Sequence, residues 1–354
     1  MNKVKIDDDA IINDVRIPKD FIGKTFSGFK KTSVLKELVQ SIVYCKIEDA
    51  CYWCIELLCS GHFIDIWDTF FKVMSNHIHI GNPKLPIYIE MRCNDFKKNI
   101  ENGYLGNEIE LRNNINIRII FMEIVCILAY SQKRHTISCV KLNDNALDVA
   151  EFGHLLSAKS TQYCEKSFRG NDPKEIYIPL NELAYHVSKD SLMSHNAAYW
   201  LEWLYYFDSV CKKNKKVIIC DARSYVSNNK LNTDIVWIIW DIMKLESTRR
   251  KPIVKKIIDA LASLFCLRFT IGARRKRKHL LYYAISILCS NSSFQENIIQ
   301  CSNIDEIVNN SHKLFKKIKS NEIQPKSSYL FKNLKEVSSR EKSAKKLEIL
   351  NKNM

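Results

Sequence analysis

The chain has 354 residues, of which 46% are hydrophobic, and a formal net charge of +15. That hydrophobic content is enough for a sizeable core, while only 9 Gly and 7 Pro argue against an all-β fold, which needs frequent turns. The N-terminus lacks a basic segment followed by an apolar run, and charges interrupt the longest apolar stretches, so we expect no secretory signal and no membrane contact.

Hydrophobic periodicity predicts a mainly α protein with two helical domains. We divide the chain into an N-terminal arm, a first helical domain, an irregular connection, a basic second helical domain and a basic tail. The predicted bounds of these segments are residues 1–31, 32–140, 141–190, 191–319 and 320–354. The tail is poor in large apolar residues, which is typical of disorder or of a lone helix.

The first domain is predicted to be a bundle of four helices. Three of them begin near Ser33, Ile47 and Phe63, and their short links make them antiparallel neighbours. The fourth, residues 117–130, is apolar on most faces and is expected at the centre of the domain. Trp67 lies on the apolar stripe of the third helix and is expected in the core.

The second domain is predicted to contain five helices. Their predicted bounds are residues 192–213, 233–246, 252–267, 278–290 and 303–319. A short helix near residues 180–188 precedes them, and the β-branched residues at 217–220 favour a short strand between the first two.

Two short motifs have part of the pattern of a functional site. Residues 23–25 (GKT) match the end of a phosphate-binding loop, but Pro18 stands where that loop needs its first glycine, so an ordinary turn is the better interpretation. Cys51 and Cys54 form a CxxC pair, but both lie on an apolar helical stripe, where thiols pack as small apolar side chains. With no other catalytic or metal-binding motif, we predict a non-enzymatic protein without a cofactor or metal.

Positive charge is concentrated in the second half of the chain. Residues 201–354 hold 30 Lys and Arg against 14 Asp and Glu, whereas residues 1–200 hold 24 against 25. This asymmetry indicates that residues 201–354 bind a polyanion, and we predict nucleic-acid phosphates, bound without sequence preference. The residues predicted to contact them are Arg249, Arg250, Lys251, Lys255, Arg274, Arg275, Lys276, Arg277 and Lys278.

The run at residues 274–278 has two alternative interpretations, a solvated loop and a nuclear-import signal. If the run contacts phosphates, replacing four of its cations (Arg274, Arg275, Arg277 and Lys278) by alanine is expected to reduce the salt dependence of binding. The same replacement is expected to leave the fold intact.

The segment from Lys46 to Ser131 resembles the helical collar of the MgsA/RarA branch of clamp-loader-type ATPases. Four stretches carry the resemblance: DACYW at 49–53, Gly61, residues 75–86 with IGNP followed by LP, and ILAYS at 127–131. The resemblance implies that residues 32–140 contact a protein partner or self-associate. No ATPase module precedes the segment in this sequence, so ATP hydrolysis is not expected.

The composition, rich in Lys, Asn and Ile, is also similar to uncharacterised proteins of large double-stranded DNA viruses, which implies the host cytoplasm or nucleus, or the virion. The 13 scattered cysteines favour a reducing, intracellular compartment. The favoured hypothesis is a non-enzymatic accessory protein of DNA replication or DNA packaging. The alternative is a virion structural or assembly protein that binds DNA or an acidic capsid partner, and a nucleic-acid-processing enzyme with a dispersed site comes third.

Overall fold

The computed structural model describes residues 8–138, 140–228, 230–290, 294–299 and 303–324. Within these ranges the protein is mainly α-helical, as predicted, and forms no β-strand. None of the helices in the described ranges combines the length and hydrophobicity that a bilayer span requires. Most of the predicted tail lies outside the described residues.

The first half of the chain forms five helices. They are α1 (Lys31–Val43), α2 (Ile47–Cys59), α3 (Phe63–Val73), α4 (Leu85–Glu101) and α5 (Ile115–Tyr130). The sequence predicted all of them except α4. Asn114 fixes the start of α5, because its side chain accepts hydrogen bonds from the backbone N–H groups of Asn116 and Ile117.

Trp67 lies in the core, as predicted, with 4% of its surface exposed. The ring centroids of Phe70, Phe71, Phe96 and Phe121 lie 5.4 to 6.1 Å from that of Trp67. Such edge and tilted aromatic contacts add to the free energy gained by burying the rings. This aromatic cluster joins α3 to α4 and α5.

The rest of the chain forms eight helices in the described ranges. They are α6 (Val149–Phe152), α7 (Tyr177–Val187), α8 (Ser194–Lys213), α9 (Val236–Thr248), α10 (Pro252–Cys266), α11 (Ile271–Lys276), α12 (Lys278–Cys289) and α13 (Ile304–Lys319). The five predicted helices are present as α8, α9, α10, α12 and α13, and the short helix near 180–188 is α7. The expected strand at 217–220 is not formed, because Val217 and Ile219 are 68% and 61% exposed and no second strand is present among the described residues to pair with it.

The described part of the N-terminal segment packs into the core instead of extending as an arm. Ala10, Ile12, Phe21 and Phe26 are all buried. The guanidinium of Arg118 on α5 donates a hydrogen bond of 2.8 Å to the carbonyl of Ala10, which anchors the segment to the first bundle.

Helix α13 also packs against the first bundle, although its position in the sequence suggested the second domain. It contacts α2 and α5, and its Phe315 and Ile318 are fully buried. The Arg118 guanidinium carbon lies 3.9 Å from the centroid of the Phe315 ring. The described N-terminal and C-terminal segments therefore meet on α5.

The two halves of the chain also contact each other directly. Helix α4 packs against α10, and the hydroxyl of Tyr283 on α12 donates hydrogen bonds to the carbonyls of His79 and Asn82. The buried apolar side chains form one continuous cluster across both halves. The predicted boundary at residues 141–190 therefore does not separate two cores.

Candidate nucleic-acid interface

The basic run at residues 274–278 spans the end of α11 and the start of α12. Thr270 caps α11 by accepting a hydrogen bond of 3.0 Å from the backbone N–H of Ala273. The turn between α11 and α12 points the members of the run in different directions. Arg274 and Arg277 are buried, Lys278 is half-buried, and Arg275 and Lys276 are exposed.

Arg274 is held by two carboxylates inside the protein. It is 5% exposed, and its Nη1 lies 2.5 Å from Asp208 of α8 and 3.2 Å from Asp234, just before α9. The Arg274 guanidinium carbon lies 4.6 Å from the centroid of the Tyr205 ring. Burial by itself would lower the pKa of Arg274, but the Tyr205 hydroxyl and the two carboxylates outweigh it, so the pKa is raised. Arg274 is therefore charged, and Asp208 and Asp234 hold its Nη1 inside the fold.

Arg277 and Lys278 also have internal partners. The Arg277 guanidinium pairs with Asp68 of α3 at 2.9 Å and donates to the carbonyls of Phe265 and Leu267 at the end of α10. Lys278 lies 2.6 Å from Glu202 of α8. Each of Arg274, Arg277 and Lys278 therefore has a carboxylate partner inside the protein, and their contact with phosphates stays a prediction.

The second predicted cluster lies at the link between α9 and α10. Arg249 and Arg250 both pair with Glu246 at 3.1 Å, and Lys255 pairs with Asp259 at 2.6 Å. Lys251 is exposed and has no ion pair among the described residues.

The structure does not bring this cluster together with the run. Helices α9 and α10 pack as an antiparallel hairpin, and the run contacts the hairpin's other end through Asp234 and Leu267. Thirteen residues of α9 separate the two ends, or about 20 Å at 1.5 Å per residue. The predicted site therefore divides into two separate places.

Lys276 points into a groove that the second half shares with the first. The groove lies between α1, α3 and the α11–α12 turn and has a volume of about 680 Å³. Lys36 of α1 and Lys72 of α3 line it together with Lys276, and we call this feature the lysine groove. Its polar lining also includes Thr32, Gln40 and Asn76.

The lysine groove has a net positive charge because its own carboxylates are already neutralised. Asp65 pairs with Lys31 at 2.8 Å, and Asp68 pairs with Arg277. Within the described residues, Lys36, Lys72 and Lys276 form no ion pair, and all three are exposed. Three unpaired cations in one polar groove favour an anionic ligand.

A histidine at the base of the groove adds no positive charge at neutral pH. Burial, followed by the charges of Lys72 and Arg277, lowers the pKa of His279 to about 3. Its Nδ1 lies 2.6 Å from the hydroxyl oxygen of Ser75, which orients the ring. His279 is therefore a neutral structural group at the base of the groove.

Lys36 and Lys72 were not among the predicted contacts because the first half of the chain has no excess of positive charge. The signal that could have found them is position: both are polar residues on the outward faces of neighbouring amphipathic helices.

The two short motifs, residues 23–25 and the CxxC pair, belong to ordinary structural elements. Residues 23–25 form part of a turn in which Gly23 has a φ of 76° and Thr25 is buried. Cys51 and Cys54 lie on the buried face of α2, and burial raises the pKa of Cys54. In the described ranges no three His, Cys, Asp or Glu side chains are grouped to hold a metal ion.

Comparison with known proteins adds no relative. No protein-family model, no curated protein and no solved structure matches this chain. The resemblance of residues 46–131 to clamp-loader collars, and of the composition to viral proteins, therefore stays a prediction.

Proposed function

We propose that this chain is a non-enzymatic nucleic-acid-binding protein whose lysine groove holds backbone phosphates without reading the base sequence. The observation that carries the proposal is the convergence of Lys36, Lys72 and Lys276 in a groove whose carboxylates are already paired. Lysine ammonium groups bind phosphate as point charges, and hydroxyl or amide side chains nearby add hydrogen-bond donors. An accessory role in DNA replication or packaging is the setting we propose for this binding.

The proposal assigns phosphate binding to three lysines in one groove, whereas the sequence predicted contacts along the basic second half of the chain. Each phosphate that a lysine neutralises on duplex DNA releases condensed counterions, so log K falls with log salt at a slope near −0.9 per contact. Three groove lysines should therefore contribute a slope of about −3. No base-reading element is required for this part of the affinity.

The test is a salt titration of binding to a short fluorescent duplex, read by anisotropy. Replacing Lys36, Lys72 and Lys276 together by Gln should reduce the slope by about 3 units. The matched control replaces Lys251, Lys255 and Lys256, three exposed lysines at the other end of the α9–α10 hairpin, and should leave the slope near that of the parent protein. Unchanged helical circular dichroism should accompany both changes, because all six side chains are exposed.

The two variants separate the competing explanations. If the hairpin-end variant loses the slope and the groove variant keeps it, phosphate is bound at the second cluster and the groove proposal is rejected. If the parent protein shows no salt-sensitive binding to duplex or single-stranded nucleic acid, an acidic protein partner explains the charge better.

A further inference from the structure

A second cavity lies between the two halves of the chain and has a different chemical character. It has a volume of about 780 Å³ and is enclosed by α3 and α4 on one side and by α10 on the other. Arg277 lines both this cavity and the lysine groove, so the Arg277–Asp68 ion pair stands between them. The volume falls in the range of about 300–1,000 Å³ that is usual for small-molecule sites.

The inner wall of the cavity is aromatic. Phe63, Trp67 and Phe96 line it, and the Phe96 ring centroid lies 5.6 Å from that of Phe63 and 5.7 Å from that of Trp67. These three rings are held by the core beneath them, so the wall is rigid. A rigid aromatic wall suits a flat apolar body, which gains contact area without ordering flexible side chains.

The mouth of the cavity is positively charged. Lys97 of α4 and Arg268, after α10, are exposed at the mouth and form no ion pair with any residue that the structure describes. Lys244 and Asp259 also line the cavity, 3.7 Å apart, and Asp259 has a second cation in Lys255. Glu108 also lines the cavity and carries a negative charge. The two positive charges of Lys97 and Arg268 therefore exceed it, and the net charge of these three side chains is positive.

The backbone places Arg268 at this mouth in an unusual conformation. Its φ is 44°, in the left-handed region that residues other than glycine rarely adopt. The turn lies directly after α10, where the carbonyl of Leu267 accepts a hydrogen bond from Arg277. The turn that holds Arg268 is therefore fixed from inside, while its guanidinium forms no ion pair within the described part of the chain.

From the aromatic wall and the unpaired cations we infer that this cavity binds a small organic anion with a flat apolar body. The rings would hold the body, and Lys97 and Arg268 would bind the anionic group at the mouth. Two kinds of compound combine a flat aromatic ring with an anionic group, an aromatic carboxylate and a nucleoside monophosphate. The inference does not depend on the lysine groove, because the two sites share only the inward-facing Arg277.

The test uses two fluorescent probes of similar shape and different charge on the full-length protein. Anilinonaphthalene sulfonate is flat and anionic, and phenylnaphthylamine is flat and neutral. We expect the anionic probe to bind saturably at one site and at least about tenfold more tightly than the neutral probe. Replacing Lys97 and Arg268 together by Ala should remove that preference, while Lys159→Ala, a change at an exposed lysine elsewhere, should preserve it.

A second variant locates the probe. Ser263 is exposed at the cavity, so Ser263→Trp should fill the space and weaken both probes by at least about tenfold. A bound probe should also slow iodoacetamide labelling of Cys266, a half-buried thiol of the lining, measured by peptide mass spectrometry. Equal affinity for the two probes in the parent protein, or unchanged binding in Ser263→Trp, would overturn the inference.

Competition then identifies the source of the ligand. Displacement of the anionic probe by adenosine monophosphate supports a nucleotide, and displacement by naphthoate supports an aromatic carboxylate. Displacement by laurate alone would contradict the flat-body inference, because that acid has a flexible aliphatic chain.

Discussion

Arg274 and Arg275 are adjacent cations with opposite roles, and replacing each by alanine tests this directly. Arg274 pairs with Asp208 and Asp234 inside the protein, whereas Arg275 is exposed. Removing one partner of a buried ion pair leaves an uncompensated charge, which typically costs about 3–5 kcal/mol. Asp208 keeps Lys212 at 2.8 Å, so one of the two carboxylates stays compensated. We therefore expect the lower end of the range, about 3 kcal/mol, for Arg274→Ala.

The matched change Arg275→Ala should alter the free energy of unfolding by less than about 0.5 kcal/mol, because an exposed side chain away from any cap or network has little effect. Urea unfolding followed by circular dichroism measures both variants. The difference between adjacent arginines controls for the loss of one positive charge. A loss of about 3 kcal/mol for Arg274→Ala would contradict the expectation that alanine replacement across the run leaves the fold intact.

The pH dependence of the loss identifies its cause. Burial raises the pKa of Asp234, and Arg274 acts in the opposite direction, so removing Arg274 should raise this pKa further. A carboxyl whose folded-state pKa is above its unfolded-state value destabilises the fold as pH rises through the folded-state pKa. The deficit of Arg274→Ala should therefore become smaller as the pH is lowered from 8 through the folded-state pKa of Asp234, and adding Asp234→Asn should recover part of it at pH 8. A loss below about 1 kcal/mol at pH 8, or a deficit that stays the same down to the lowest pH at which the variant folds, would refute the buried ion-pair network.

Three further predictions concern the core. Trp67→Ala should cost about 3–5 kcal/mol in denaturant unfolding, because a large buried ring leaves a cavity; a loss under about 1 kcal/mol would contradict its packing. Elemental analysis should find no stoichiometric zinc, and one zinc per chain that disappears in a Cys51→Ser, Cys54→Ser variant would overturn the interpretation of these thiols as core groups. Burial lowers the pKa of His79 to about 4 and of His279 to about 3, so the unfolded chain binds more protons below pH 6.5 and stability should fall from there toward pH 4. His279→Gln should flatten that fall in urea unfolding measured across the same pH range.

The helices with a strong apolar stripe could be predicted from the sequence, and their observed bounds differ from the prediction by a few residues. Helix α4 was missed because charged and amide side chains interrupt its apolar pattern from Glu90 onward. Its buried residues are Leu85, Pro86, Tyr88, Ile89, Cys93 and Phe96, and after Ile89 they form only a narrow stripe between charged residues. A narrow stripe is a weak signal of a helix in a single sequence. In the structure it is enough to pack α4 into the core, because α10 covers it.

Long-range packing could not be predicted in the same way. The position of α13 in the sequence suggested the second domain, but Phe315 and Ile318 bury against the first bundle. Periodicity shows which face of a helix is apolar and does not show which partner covers it. The N-terminal segment has no periodicity, so nothing in its sequence indicated that its apolar residues pack into the core. It was therefore expected to be an extended arm.

The basic run shows that neighbouring charges in a sequence can be divided between the interior and the surface. Arg274 at the end of α11, Arg277 in the turn and Lys278 at the start of α12 are the three with internal carboxylate partners. Lys276 is exposed and lines the lysine groove.

If the lysine groove binds phosphates, counting charge along the sequence overestimates the phosphate contacts of the second half and underestimates those of the first. If the proposed groove is the binding site, two of its three lysines come from residues 1–200, whose net charge is negative. An isolated fragment of residues 201–354 would then lack most of the site. The complete chain, rather than its basic half, is the unit on which nucleic-acid binding has to be measured.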